Sequence, residues 1–277
     1  SRTAWVTLQE NNAVAVLDIK RGQFKAIHGL GLKDHSLTGN ELDASDRDNQ
    51  INIRTWPVLG MYQPDAIASY QHRGRTYLVT ANEGDARDYP GFSEEVRLGS
   101  TNYPLSPLHF PDAANLKQNA NLGRLTVSSA SGYNPDSGYY EAIHAFGGRS
   151  FSIWSEDLTQ VYDSGADFER ITAAANPQFF NSDHASNSFD NRSDNKGPEP
   201  EGVTLAKLWG KTYAFIGLER IGGVMVYDIS QPQAPQFVQY FNNRDFATTP
   251  GSAAAGDLGP EGLMVIEAEH SPIGVPL

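Results

Sequence analysis

The sequence predicts an all-β fold, a β-propeller of three- to four-stranded antiparallel blades, and three observations lead there. One pattern occurs twice with the same spacing, as PDAIASYQHRGRTYLVTANEGD from Pro64 and as PEGVTLAKLWGKTYAFIGLERIGG from Pro200. In both, the acid after proline (Asp65, Glu201) stands eleven residues before Thr-Tyr (Thr76-Tyr77, Thr212-Tyr213), and a glutamate (Glu83, Glu219) follows that threonine by seven. Second, half copies stand near each end: TAWVTLQE from Thr3 to Glu10 matches the later half, and Pro260-Glu261-Gly262-Leu263 the earlier. Third, AVAVLDI (Ala13 to Ile19) and GVMVYDI (Gly223 to Ile229) read as the same strand of two units. A supersecondary unit repeated along a chain implies a propeller or solenoid.

Alternation and β-branched or aromatic content place strands at Ala4–Leu8, Ala13–Ile19, Ala66–Tyr70, Tyr77–Thr80, Ile143–Phe146, Ser150–Trp154, Val203–Leu208, Tyr213–Gly217, Val224–Asp228 and Gly262–Glu267. Helical periodicity is confined to Phe168–Ala175, ended by Asn176-Pro177 because proline disfavours helix at the residue before it. The unit is then strand, hairpin, strand, tight turn, strand, set radially in a ring. Long polar insertions, Leu32–Ile53, Tyr89–Leu122 and Phe180–Pro200, separate the units, and insertions of that length are functional or mobile.

The repeats run from end to end, so residues 1–277 are read as one domain. Because the chain starts and stops inside a unit, the expectation is that it is a fragment of a longer propeller. The alternative is that Gly262–Glu267 pairs with Ala4–Leu8 and closes the ring.

The 26 glycines, 16 prolines, 12 tyrosines and 13 phenylalanines suit short strands and turns. A net charge of −12 argues against nucleic acid and anionic membrane as partners and fits cations better. No cysteine is present, which removes disulfides, thiolate metal sites and cysteine nucleophiles together. No apolar run is long enough to span a bilayer, and the first residues read as a strand rather than a targeting segment.

The repeat spacing also makes a spatial statement. The acid at the start of a unit's first strand and the glutamate after its second lie at the same end of an antiparallel hairpin. In a propeller the first strands line the central channel, so Glu10, Asp65, Glu83, Glu201, Glu219 and Glu261 are expected around one mouth. Crowded carboxylates raise one another's pKa unless protons or cations neutralise them. Ca2+ is the preferred ion because irregular carboxylate and carbonyl sites suit it, with another divalent cation as the alternative. Zinc fits less well, since the seven histidines show no paired ligand spacing. For any single acid, capping of a neighbouring turn explains its presence as well.

Seven phrases, TAWVTLQENNAVAVLDI, LGLKDHSLTGNELDASDRD, YLVTANEGDARDY, AFGGRSFSIW, NRSDNKGPEPEGV, YAFIGLERIGGVMVYDI and DLGPEGL, closely resemble the choice-of-anchor I family. The resemblance covers nearly the whole chain and implies an exported β-propeller, secreted, periplasmic or at the cell surface. The family is related to mesenchyme-specific cell surface glycoproteins linked to biomineralisation, and many bacterial members carry the description alkaline phosphatase-like. Members of the family extend on both sides of the stretch present here.

Phosphomonoester hydrolysis needs charge stabilisation for the phosphoryl oxygens, which arginine's planar fork supplies, so Arg87, Arg149 and Arg220 are candidate clamps. For Arg87 and Arg220, ion pairing with neighbouring carboxylates competes with that role. His35 is a candidate proton donor or metal ligand. Asp43, Asp46 and Asp48, followed by Gln50 and Asn52, alternate oxygen ligands as calcium loops do, without the glycine and distal glutamate of an EF-hand. Asp183, Asp190 and Asp194, in another insertion, are a weaker calcium-site candidate, for which a solvated loop is the alternative reading. Gly147-Gly148 and Gly222-Gly223 read as turn glycines.

Two functions therefore compete. One is an exported Ca2+-dependent phosphoesterase of alkaline phosphatase-like type; the other is a non-catalytic calcium-binding cell-surface or matrix protein whose partners are mineral or cell-surface components. A propeller acting only as a protein-docking platform is a third.

Overall fold

The computed structural model describes residues 2–277 and is built mainly of antiparallel sheets, with one parallel pair, β14 against β5, and two short α-helices. The chain opens with a meander of β1 (Thr3–Leu8), β2 (Ala13–Asp18) and β3 (Gln23–Gly29). Two short strands follow, β4 (Leu32–Asp34) and β5 (Leu59–Met61), then the hairpin β6 (Ala66–His72) and β7 (Arg75–Asn82). Next come the hairpin β8 (Asp88–Tyr89) and β9 (Phe92–Ser93), β10 (Glu95–Arg97), α1 (Ala113–Leu116) and β11 (Thr126–Ser128). After the hairpin β12 (Tyr133–Asn134) and β13 (Tyr139–Tyr140) lie β14 (His144–Phe146), β15 (Ser150–Ser155), β16 (Gln160–Asp163) and α2 (Asp167–Ala175). A final meander holds β17 (Pro200–Leu208), β18 (Lys211–Leu218), β19 (Val224–Asp228) and β20 (Gln236–Phe241).

The two complete repeats are the hairpins β6–β7 and β17–β18, each extended to four strands in the orders β6-β7-β15-β16 and β17-β18-β19-β20. The half copy forms β1, and AVAVLDI supplies β2. Consecutive sheets pack face to face, and β7 is buried on both sides, Tyr77, Val79 and Ala81 on one and Leu78, Thr80 and Asn82 on the other. Tyr77, Val79 and Ala81 join Phe151 and Ile153 against Ala214, Ile216, Met225 and Tyr227 of the last sheet. Leu78, between them in sequence, joins Trp154 and Tyr62 against Val14, Trp5 and Val16 of the first. Phe151 and Tyr227 meet with ring centroids 4.7 Å apart, so Phe151→Ala would remove about 3–5 kcal/mol from this core.

The unit differs from its predicted form in one respect. The third strand of the middle sheet, β15, pairs with β7 from Ser150↔Asn82 to Ser155↔Tyr77, yet the whole stretch from Glu83 to Arg149 lies between them. That excursion, with residues 32–61, is no bare polar loop. It forms a five-stranded sheet, β10-β11-β14-β5-β4, over a buried group that includes Leu42, Trp56, Val58, Leu98, Leu122, Leu125 and Val127. These apolar residues are scattered irregularly among polar ones, which concealed the core from periodicity.

The Gly262–Glu267 strand does not form. Apart from one mutual pair of hydrogen bonds between Ile266 and Leu277, the segment finds no ladder, and β1 pairs with β2 rather than with it. Alternating side chains make a strand only where a neighbour receives the backbone groups. Phe168–Ala175 is helical, with Asp167 and Glu169 in its first turn, where acids suit the helix N-terminus.

Candidate functional site

Strand β6 lies against β17 of the next sheet, which brings the ends of both hairpins together. Asp65 precedes β6 and Glu83 follows β7; Glu201 lies at the start of β17 and Glu219 follows β18. The β17–β18 register slips between Pro200 and Val203, so Glu201 and Gly202 stand in a bulge, a device that re-aims side chains. Gly202 is required there: a Cβ would lie 1.9 Å from the carbonyl oxygen of Glu261, which crosses the bulge. Gly84 and Gly147 serve Glu83 in the same way. Gly84 has φ of +98°, a Cβ on it would meet Gly147 N at 2.4 Å, and a Cβ on Gly147 would meet the Glu83 carbonyl oxygen at 2.2 Å.

Glu83, Glu199 and Glu219 each bring one carboxylate oxygen within 4.8 Å of the others. Glu199 was not anticipated. Its only signal in the sequence was a second glutamate in PEPEG, two residues before the one the repeat singled out. It is fully buried with φ of +52°, a left-handed conformation that a non-glycine residue holds only where its surroundings compel it.

Three cations from the preceding loop and the β18 turn neutralise this triad in part. Lys196 Nζ donates to Glu83 Oε1 at 2.7 Å and to the Gly84 carbonyl at 2.7 Å, and lies 3.0 Å from Glu199 Oε2. Arg220 Nε meets Glu199 Oε2 at 3.0 Å, and its Nη1 meets Glu219 Oε1 at 3.0 Å. Arg192 forks onto Glu199 Oε1 through Nε, at 3.1 Å, and Nη2. Gln9 Nε2 donates to Glu83 Oε2 at 2.6 Å, tying the first sheet to the site.

The remaining charge is unmatched. Glu201 Oε2 is buried with no hydrogen-bond partner. Burial first, and then Glu219, Glu83, Asp65 and Glu261 in turn, push the Glu201 carboxyl up to about 8. Burial lifts Glu83 to about 7 despite Lys196. Burial, then Glu199, raises Glu219, and burial, then Asp85, raises Asp65. Glu199 is the exception: burial pushes it up, but Lys196, Arg192 and Arg220 outweigh that and hold it at about 2. An assembly of this kind can take up a hard cation or a proton, and in neither case is a thiol or an imidazole needed.

The other residues singled out in the sequence lie elsewhere. Glu10 is exposed on a 3-10 turn, and its neighbour Gln9 reaches the acids in its place. Arg87 is bound bidentately to Glu94, at 3.1 and 3.0 Å. Arg149 is 4% exposed, bonded to Glu169 at 2.6 Å and to the carbonyls of Asp43, Ser193 and Asn195. His35 is buried, its Nδ1–H donating to the Asn40 carbonyl, and burial followed by the charge of Lys33 keeps the ring neutral well below the ordinary histidine range. Asp43, Asp46 and Asp48 do not form one loop site. Asp46 pairs with Arg124 at 3.0 Å, Asp43 is buried and accepts the backbone N–H of Asn52, and Asp48 accepts from the side chains of Gln50 and Asn52. The loop of Asp183, Asp190 and Asp194 is no solvated stretch, since Asp190 and Asp194 are buried.

The choice-of-anchor I domain pattern matches residues 1–232, including every acid of the site except Glu261. The chain belongs to the choice-of-anchor I domain family. Among curated proteins, the mesenchyme-specific cell surface glycoprotein of Strongylocentrotus purpuratus is 28% identical over 234 residues, 73% of this chain and 30% of that protein. Gigasin-3a of Magallana gigas is 31% identical over 175 residues, 58% of this chain and 61% of that protein. This choice-of-anchor I chain thus spans under two thirds of the length of either relative. No solved structure matches it. Among the described residues no helix is long and apolar enough to cross a membrane.

Proposed function

We propose that this choice-of-anchor I chain is a non-catalytic, cell-surface or extracellular propeller-type protein that binds a divalent cation, Ca2+ foremost, at the shared end of its repeated hairpins. The buried, unpartnered Oε2 of Glu201, among Asp65, Glu83, Glu219 and Glu261, supports this reading above all. Three internal cations balance the triad on one side, and a cation at Glu201 would balance the other. The surface location is supported by a family relative named a cell surface glycoprotein. The ion would fix the ends of two sheets to each other and leave an acidic, cation-charged face for mineral or cell-surface partners.

The competing reading, phosphomonoester hydrolysis, requires a guanidinium free to meet phosphoryl oxygens. Arg87 is forked onto Glu94, Arg149 is buried on Glu169, and Arg220 bridges Glu199 and Glu219. The test is to incubate the purified chain with an aryl phosphate, with and without Ca2+, while measuring bound calcium. Bound calcium without turnover is the expected result. Turnover that Glu201→Gln abolishes would establish the hydrolase instead.

A further inference from the structure

A second group of acids is buried around Asp190, outside the repeated hairpins. Asp43, Asp190 and Glu169 are at most 2% exposed and come from three segments: the insertion after β4, the loop before β17, and α2. The single guanidinium among them, Arg149, sits on Glu169 at 2.6 Å, and its other bonds go to carbonyl oxygens.

Hydrogen bonds fix the orientation of each polar group. Glu169 Oε2 accepts the backbone N–H of Asp43 at 2.9 Å. Asn181 Nδ2 donates to Glu169 Oε1 at 3.0 Å and to Ser193 Oγ at 2.8 Å. Because a carboxylate only accepts, the Asn181 amide cannot be turned round. Ser193 Oγ donates in turn to Asp190 Oδ1. This relay leaves two oxygens over, Asn181 Oδ1 and Asp190 Oδ2, both buried and both without a partner. Asn181 is 0% exposed and Asp190 2%. Two buried acceptors of one network, linked through Ser193 and with no donor for either, call for a positive group to satisfy them.

We propose that Asp190 Oδ2 and Asn181 Oδ1, with the carboxylate of Asp43, form an internal site for a divalent cation such as Ca2+, to which Asp48 adds its charge from the more open side. Two carboxylates and an amide oxygen are oxygen donors such an ion takes. The electrostatics agree: burial and then the charge of Asp43 push Asp190 up, and burial and then Glu169 push Asp43 up. The ion would pin the insertion after β4 to the loop that carries Arg192 and Lys196 to the other site. This site is independent of the Glu201 reading, since its ligands share no residue with it.

Thermal unfolding of the full chain, metal-free and with added Ca2+, tests the proposal on wild type, Asp190→Asn and Glu201→Gln. Ca2+ at a hundredfold excess over Kd is expected to raise the wild-type Tm by about 5 °C or more. Asp190→Asn should lose part of that rise and one bound calcium by metal analysis, while Glu201→Gln retains the part that Asp190→Asn loses. A wild-type Ca2+ response and calcium count in Asp190→Asn, with a higher metal-free Tm, would overturn the site and show that Oδ2 carries a proton. Should Asp190→Asn fail to fold, the half-exposed Asp48→Asn serves: weaker Ca2+ binding supports the site, and unchanged affinity and stoichiometry overturn it. A Glu201→Gln protein indistinguishable from wild type would count against the other site alone.

Discussion

Lys196 Nζ lies 2.7 Å from Glu83 Oε1, joining the loop before β17 to the end of β7 across two sheets. The same ammonium is 3.0 Å from Glu199 Oε2, so one residue separates two acids that would otherwise repel. Removing one partner of a buried pair leaves the others uncompensated and costs about 3–5 kcal/mol. Lys196→Met is therefore expected to destabilise the metal-free chain by about that much in urea unfolding. Ca2+ should restore more stability to Lys196→Met than it adds to wild type, because the variant exposes two further acids to the ion.

The pH dependence has a definite sign. Glu201 and Glu83 are pushed up to about 8 and about 7, so the folded state holds protons that the unfolded chain releases. Their effect is absent below the ordinary carboxylate pKa of about 4.3, and stability falls as pH rises from there toward 8. Glu199, held at about 2, works the other way: its contribution is present above about 4.3 and is lost as pH falls toward 2. Metal-free melts from pH 3 to 9 should thus show a maximum in the mildly acidic range. Glu201→Gln should flatten the alkaline limb and leave the acid limb in place.

Arg149 makes its bonds to one carboxylate and three carbonyls while almost wholly buried. Lysine cannot reproduce that fork, so Arg149→Lys is expected to destabilise by about 2–4 kcal/mol in urea unfolding. Intact stability in this variant would show that the guanidinium is not holding the Asn195 and Ser193 loop.

Gly84→Ala should be as damaging as a core truncation. The substitution places a Cβ against Gly147 at a backbone conformation of φ +98°, and it does so beside Glu83. A loss of about 2 kcal/mol or more is expected, with weaker Ca2+ binding because Glu83 is displaced.

Much of this arrangement was legible in the sequence because β-structure keeps strict periods. The spacing from Asp65 to Glu83 and from Glu201 to Glu219 equals one hairpin, so counting residues located both ends of each pair. The Gly262–Glu267 segment shows where counting stops: GLMVIE alternates as a strand does, but a strand also needs a neighbour, and pairing is not written locally. Glu199 was hidden for another reason. It is set by a left-handed turn outside the repeat, and its partners Lys196, Arg192 and Arg220 converge only in three dimensions. The core of Leu42, Trp56, Leu98 and Leu125 was hidden in the same way, since its residues come from separated irregular segments.

Cation binding by the acids around Glu201 is read out by calorimetric titration of the metal-free chain with Ca2+ at pH 7.5, wild type against Glu201→Gln with Glu219→Gln. Saturable binding is expected in the wild type, with loss of one binding event in the double variant and its fold retained. Equal binding in both proteins, or a double variant that is simply more stable and binds as the parent does, would mean that these acids hold protons rather than a cation.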